Sequence, residues 1–151
     1  MILSIIKHPS EVLSQRCEPI KRINKDLVQL GKDMLETLKS NSGLGLAANQ
    51  VGMLHRIIVI TVKDKPLLMY NPTIMSQSTT RRAANEKCLS FSVDEEYSVK
   101  RPTFVKVKFQ DMNSKVKFLH LEDLEARCFF HEHDHLLGVT MDVNGEKIDK
   151  D

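Results

Sequence analysis

His131 and His135 stand four residues apart in Cys-Phe-Phe-His-Glu-His-Asp-His-Leu-Leu-Gly, the run from Cys128 to Gly138. On an α-helix that spacing puts both imidazoles on one face, a turn apart, where they can share a metal ion. Glu132 lies beside them, placed to move a proton on a water that the ion acidifies. The chemistry so predicted is metal-assisted hydrolysis. Leu121, Leu124, Cys128, His131 and His135 step by three and four, the spacing of a buried helix face. The histidines are therefore expected to point where the leucines point, into the core. The competing reading is a pair of core histidines with no ion.

A catalytic site of this kind needs three protein ligands and an open position for water. One class of HExxH protease takes its third ligand from a histidine six residues after the second, and that position is Met141 here. Glu146 lies too near to reach back from a second helix, so a metalloprotease is disfavoured. Upstream candidates are Cys88, His55, His120 and Cys128. Cys128 is seven residues from His135, about 10 Å at ~1.5 Å per residue, too far for both to meet one ion. Cys88, in Asn-Glu-Lys-Cys-Leu-Ser, is either a small buried hydrophobe or a ligand, and the need for a third donor favours the ligand.

The elements that must position these groups are legible in part. Asn24 caps a predicted helix from Lys25 to Lys39 with Leu27, Leu30, Met34, Leu35 and Leu38 on its apolar face, stopped by Ser40-Asn41-Ser42-Gly43. The stretch Gly43 to Gln50 reads as a tight turn; it lacks the third glycine and the lysine of a phosphate loop. Arg56–Val62 is an apolar β-branched strand, and Leu67–Tyr70 is another that Pro72 is expected to end. Ser76–Asn85 is polar and expected to be a loop. Pro102–Phe109, the turn Asp111-Met112-Asn113-Ser114 and Lys115–Leu119 predict a hairpin. Strands in runs, with one helix early and one late, predict an α+β fold: antiparallel strands around a C-terminal HExxH helix, with one further N-terminal helix.

Composition narrows the function classes. The chain has 151 residues, 41% hydrophobic and 28% charged, enough for one domain with a sizeable core. A net charge of +2 is too small to argue for nucleic acid, and Lys106, Lys108, Lys115 and Lys117 read as outer faces of strands. No apolar run approaches the ~20 residues of a membrane span. Met1–Ile6 leads straight into Lys7-His8-Pro9 without the features of a signal peptide, and three cysteines (Cys17, Cys88, Cys128) are a sparse, odd set. The expected compartment is a reducing cytoplasm.

Gly43-Leu44-Gly45-Leu46-Ala47-Ala48-Asn49-Gln50, Glu86-Lys87-Cys88-Leu89-Ser90 and His131-Glu132-His133-Asp134-His135 resemble the three motifs of the peptide deformylase family, in order and at similar spacing. Val51-Gly52 with Arg56, Asn71-Pro72, Arg101-Pro102 and the arm from Ile2 to Ile20 are fainter matches. The resemblance covers nearly all of residues 1–151, read as a single catalytic domain.

That resemblance implies removal of the formyl group from N-formylmethionyl nascent peptides, with release of formate. It implies Cys88, His131 and His135 as ligands of one divalent ion, natively Fe(II), with zinc, nickel or cobalt able to occupy the site. It implies Glu132 as general base and acid toward a metal-activated water, with the Gln50 amide and the Leu89 N–H as oxyanion donors. Leu44 and Gly45 would pair with the peptide backbone, and Leu44, Leu124 and Cys128 would line the methionine pocket. The implied partner is a nascent peptide at the ribosome, met by a monomer with no nucleic-acid site of its own.

Four positions depart from the family pattern. Lys87 stands where glycine is usual, Arg127 where the pocket is aliphatic, Phe130 where glutamine is common, and Ser92 where proline is frequent. Lys87 is expected to narrow the site or favour the Cys88 thiolate, and Arg127 to reshape the methionine pocket or lay its stem along it. A family-like binding module without turnover is the second reading; Glu132 and Gln50 argue against it, since a structural metal site needs neither. The short stretch after the metal helix resembles shortened members known from bacteriophage genomes, so a phage-encoded short form is expected.

Overall fold

A computed structural model describes residues 1–149 of the chain. Two antiparallel sheets and two long helices make an α+β fold, as expected. The larger sheet has the order β1 (Gly45–Ala47), β2 (Ile57–Val62), β3 (Lys65–Gln77), β6 (Phe104–Gln110) and β7 (Val116–Glu122). The smaller sheet holds β4 (Arg81–Glu86), β5 (Tyr97–Pro102) and β8 (Gly145–Lys147). Helices α1 (Lys25–Asn41) and α2 (Asp123–Leu136) pack on the larger sheet, and a short α3 spans Met141–Asn144.

The unbroken apolar run of β2 follows from burial on both faces. Ile57 and Val59 pack with Leu27, Leu30, Met34 and Leu38 of α1. Ile58 and Ile60 pack on the opposite face with Ala126, Phe129 and Leu136 of α2. All four β2 residues are fully buried, and each such side chain contributes on the order of 1.5–3 kcal/mol. Helix α1 begins at its predicted cap, where the Asn24 side chain accepts from Leu27 N at 2.9 Å. It runs two residues past Lys39 and ends at Ser42 in the left-handed conformation.

The β6–β7 hairpin forms as read, closed by Asp111 Oδ1, which accepts from Asn113 N at 2.8 Å and Lys115 N at 3.0 Å. The stretch Gly43 to Gln50 is not a tight turn, since it holds β1 and the start of a short 3-10 helix, and three further expectations fail. Pro72 does not end its strand: β3 passes through a register shift between Tyr70 and Thr73, with Asn71 at φ +51°. A proline at a bulge costs no ladder bond, and Asn71 uses the bend to hold Ile20 through two 2.8 Å bonds. Ser76–Asn85 is largely strand, ending β3 and forming β4; nearly all of β4 is exposed, so no apolar alternation betrays it. The stripe on α2 is also broken. Leu121 belongs to β7, and Leu124 is 59% exposed at the first turn of the helix.

The N-terminal arm runs along the segments that hold the motifs. Ile6 N donates to Gln50 O and His8 N to Ser90 O, each at 2.7 Å. At the far end of α2, Gly138 adopts φ +75°, and a Cβ there would lie 2.5 Å from Ser14 O. Only glycine lets the chain leave the helix beneath that arm.

Candidate active site

Helix α2 presents His131 and His135 on one face with ring centroids 5.0 Å apart, and both are buried. Cys88 follows β4 directly, and its Sγ lies 3.4 Å from His135 Nε2. The ligand atoms of Cys88, His131 and His135 all fall within 4.8 Å of one another. Tetrahedral bonds of ~2.3 Å to sulfur and ~2.05 Å to nitrogen place those atoms about 3.6 Å apart, so the set fits one divalent ion. A thiolate with two imidazoles suits iron, zinc, nickel or cobalt. His55 and His120 lie outside this group. Burial, with the charges of Glu132 and Glu86 nearby, pushes the Cys128 thiol up to about 12, so it stays protonated. Burial also holds His135 well below the usual range, helped by the charges of His131 and Arg101, which leaves a neutral imidazole with a lone pair to give.

Glu86 orients the other histidine. His131 Nδ1 donates to Glu86 Oε1 at 2.8 Å, which leaves Nε2 for the ion. Arg101 Nε donates to Glu86 Oε2 at 3.0 Å and Nη2 to Oε1 at 3.1 Å, while its Nη1 pairs with Asp134. Asn49 Nδ2 donates to His135 O at 2.5 Å and ties the last turn of α2 to the segment that carries Gln50. Neither Glu86 nor Arg101 was assigned a role from sequence. The signal was the carboxylate that a ligating histidine needs, two residues before the candidate cysteine.

Glu132 is buried beside Cys88, His131 and His135, and its Oε1 has no protein partner among the described residues. Burial pushes the Glu132 carboxyl up to about 7, Glu86 adding to the effect and His131 and Arg101 opposing it. A group poised there can both take and return a proton near neutral pH. Gly45 explains its own identity: a Cβ at that position would lie 2.5 Å from Glu132 Oε2. Gln50 is held at both ends of its amide. Its Oε1 accepts from Ala47 N at 2.9 Å, and its Nε2 donates to Ser90 Oγ at 3.0 Å and reaches within 3.6 Å of Cys88 Sγ.

A cavity of about 560 Å³ opens over these groups, bordered by Leu44, Gly45, Leu89, Leu124, Cys128 and Glu132. Leu124 faces this cavity and not the core, so the pocket assignment stands apart from the failed stripe. Lys87 lines the cavity, and its amine lies 3.6 Å from Glu96. Arg127 contributes its stem to the wall, while its guanidinium turns away to Glu86, Val99 O and Arg82 O. Lys7 was not singled out from sequence; it reaches in from the arm, donating to Leu89 O at 2.6 Å.

Known proteins resemble this chain along nearly its whole length. The family model of polypeptide deformylase matches residues 2–148. A peptide deformylase of Rickettsia typhi is 39% identical over 150 residues, which span 93% of this chain and 85% of that one. The crystal structure of peptide deformylase from Thermotoga maritima superposes with a TM-score of 0.91 at 33% identity, covering 95% of this chain and 97% of that one. The Met-Ala-Ser-bound class I type b peptide deformylase from Acinetobacter baumannii superposes at 0.89 with 27% identity, covering 95% and 98%. Three ordered motifs, the gathered Cys88, His131 and His135 and the whole-length match lead to one assignment: the chain belongs to the polypeptide deformylase family.

Proposed function

We propose that Cys88, His131 and His135 hold the ion, that Glu132 carries the proton, and that Gln50 Nε2 and the Leu89 N–H receive the developing negative charge. The reaction is the family's: hydrolysis of the N-formyl amide of N-formylmethionyl peptides to formate and a free amine. The observation that carries the residue roles is Glu132, a buried carboxylate with one unpartnered oxygen, set beside the ligand group under an open cavity. A structural metal site has no use for such a group.

When bound, a divalent ion supplies a Lewis acid that polarises the formyl oxygen and acidifies water. This chain's residues do the rest. Glu132 removes a proton from the attacking water and later delivers it to the leaving nitrogen. As the formyl carbon turns tetrahedral, the Gln50 amide and the Leu89 N–H donate to its oxygen. The contacts with Ala47 and Ser90 hold the Gln50 amide in place beforehand, so no reorganisation is needed at the moment of reaction.

The substrate would lie along β1, an outer strand of the larger sheet, with Leu44 and Gly45 pairing to its backbone. Backbone pairing reads no side chains, which suits nascent chains of any sequence beyond methionine. The methionine side chain enters the cavity bordered by Leu44, Leu124 and Cys128. Fe(II) is the proposed native ion, and a monomeric cytoplasmic protein acting on chains at the ribosome is the proposed setting. Residues 1–151 work as one catalytic domain; the last two lie outside the described residues. Among the described residues no helix is long and apolar enough to cross a membrane.

The test is formate release from formyl-Met-Ala-Ser by anaerobically prepared Fe(II)-loaded protein, with Glu132→Ala in parallel. Turnover that disappears in the variant supports the assignment. No turnover from metal-replete wild type overturns it in favour of a binding module.

A further inference from the structure

Arg127 lies one helical turn before His131, and its guanidinium is held by three hydrogen bonds. Nη1 donates to Glu86 Oε2 at 2.8 Å and to Val99 O at 2.7 Å, and Nη2 donates to Arg82 O at 2.6 Å. These acceptors lie near the start of β4, at its end and in the middle of β5, so one planar fork spans the whole hairpin. Arg101 also binds Glu86, but both sit on the hairpin, and those bonds leave the hairpin free to move as a unit. Five hydrogen bonds cross from β4 and β5 to α2 among the described residues, and three of them start at Arg127. The other two are His131 to Glu86 and Arg101 to Asp134.

The seam matters because the ligand set straddles it. Cys88 extends from the end of β4, while His131 and His135 ride on α2, 43 and 47 residues further along the chain. Nothing in the local sequence holds the thiolate near the imidazoles. Gln50, Lys7 and His8 hold the segment from Cys88 to Ser90 on its other side, and the hairpin's hold on the helix fixes the side that leads into Cys88.

We propose that Arg127 is a positioning residue for the metal centre: it clamps the Cys88-bearing hairpin onto the histidine-bearing helix and so sets how slowly the ion leaves. This rests on the reading of Cys88, His131 and His135 as the ligands. Arg127 touches no ligand atom and no reacting atom. Its three bonds are to a carboxylate and two carbonyls, which a lysine head cannot satisfy together and an aliphatic side chain cannot satisfy at all.

The experiment loads wild type, Arg127→Met and Arg127→Lys with Co(II) and follows the cobalt–thiolate absorption after addition of excess chelator. Methionine keeps an unbranched stem along the cavity wall and removes every donor. Arg127→Met is expected to lose cobalt about tenfold faster, the scale seen when outer partners of metal ligands are removed. Arg127→Lys is expected to fall between, since one head group can restore one of the three bonds. The absorption band of Arg127→Met should also shift as the thiolate relaxes, a change that a loss of general stability would not produce. Equal release rates and identical bands in wild type and Arg127→Met would overturn the clamp alone. A wild type without the cobalt–thiolate band would overturn the ligand reading and the clamp with it. Should Arg127→Met fail to fold, Arg127→Lys decides, and a wild-type release rate there overturns the proposal.

Discussion

Glu86 Oε1 accepts from His131 Nδ1 at 2.8 Å, and that contact decides which nitrogen of the imidazole is available. An ionised carboxylate only accepts, so Nδ1 must carry a proton, and Nε2 is the nitrogen left to give a lone pair to an ion. Glu86→Gln presents an amide that can turn either end toward the ring. Its affinity for Zn(II), read by competition with a chelator, is expected to fall about 10–100-fold.

The same carboxylate gives acid stability a defined window. Burial pushes Glu86 up, but hydrogen bonds from His131 and Arg101 outweigh it and hold the group at about 2. Its folded value lies below the unfolded one of ~4.3, so its contribution is whole above about pH 4.3 and is lost as the pH falls toward 2. Denaturant titrations of metal-free protein from about pH 5 to 2.5 should show stability falling more steeply in wild type than in Glu86→Gln.

Glu132→Ala should bind as much metal as wild type and lose about 10²–10⁴-fold in kcat. Metal analysis and formate release on the same sample make the check. Retained turnover would remove Glu132 as the proton carrier.

Gly45→Ala tests the fit between the strand and the base. The new Cβ would lie 2.5 Å from Glu132 Oε2, so the carboxylate must shift. Displacements near 1 Å at a reacting group cost about 10²-fold, and kcat is expected to fall on that scale while metal content holds. An unchanged kcat would show that the carboxylate has room to move.

Cys88→Ser replaces a thiolate with a hydroxyl that stays protonated at neutral pH. Metal content after dialysis should drop sharply, and the cobalt–thiolate absorption should vanish. Unchanged metal content would remove Cys88 from the ligand set.

What could be read from sequence divides along physical lines. The α1 helix, its Asn24 cap, the apolar β2 and the β6–β7 hairpin carry local signals, and all appear. Strand β4 carries none, because solvent bathes nearly all of it and selects no alternation. The bend at Asn71-Pro72 read as an end because a proline's missing donor means the same thing at a strand terminus and at a bulge. At the site, ligand types and motif order pointed to Cys88, His131 and His135, and the structure gathers those atoms. The helix stripe misled, since Leu124 tracks the histidines in period yet faces the cavity. Glu86 and Arg101 stayed unassigned because their roles come from cross-strand and strand-to-helix contacts that no spacing along the chain encodes.

The larger sheet has two outer strands, and they are built to opposite ends. At one side β7 is seven residues long, with exposed Val116 and Phe118, a shape that invites edge-to-edge aggregation. Lys115 and Lys117 flank and punctuate it, and a charged ammonium on a strand edge is a standing penalty against a second copy docking there. At the other side β1 has only Gly45, Leu46 and Ala47, too short to template a neighbour's strand yet long enough to guide a few residues of extended peptide. On the proposed reading the two margins differ by length and charge: one would offer a short template to extended peptide, and the other would oppose a second copy of the sheet.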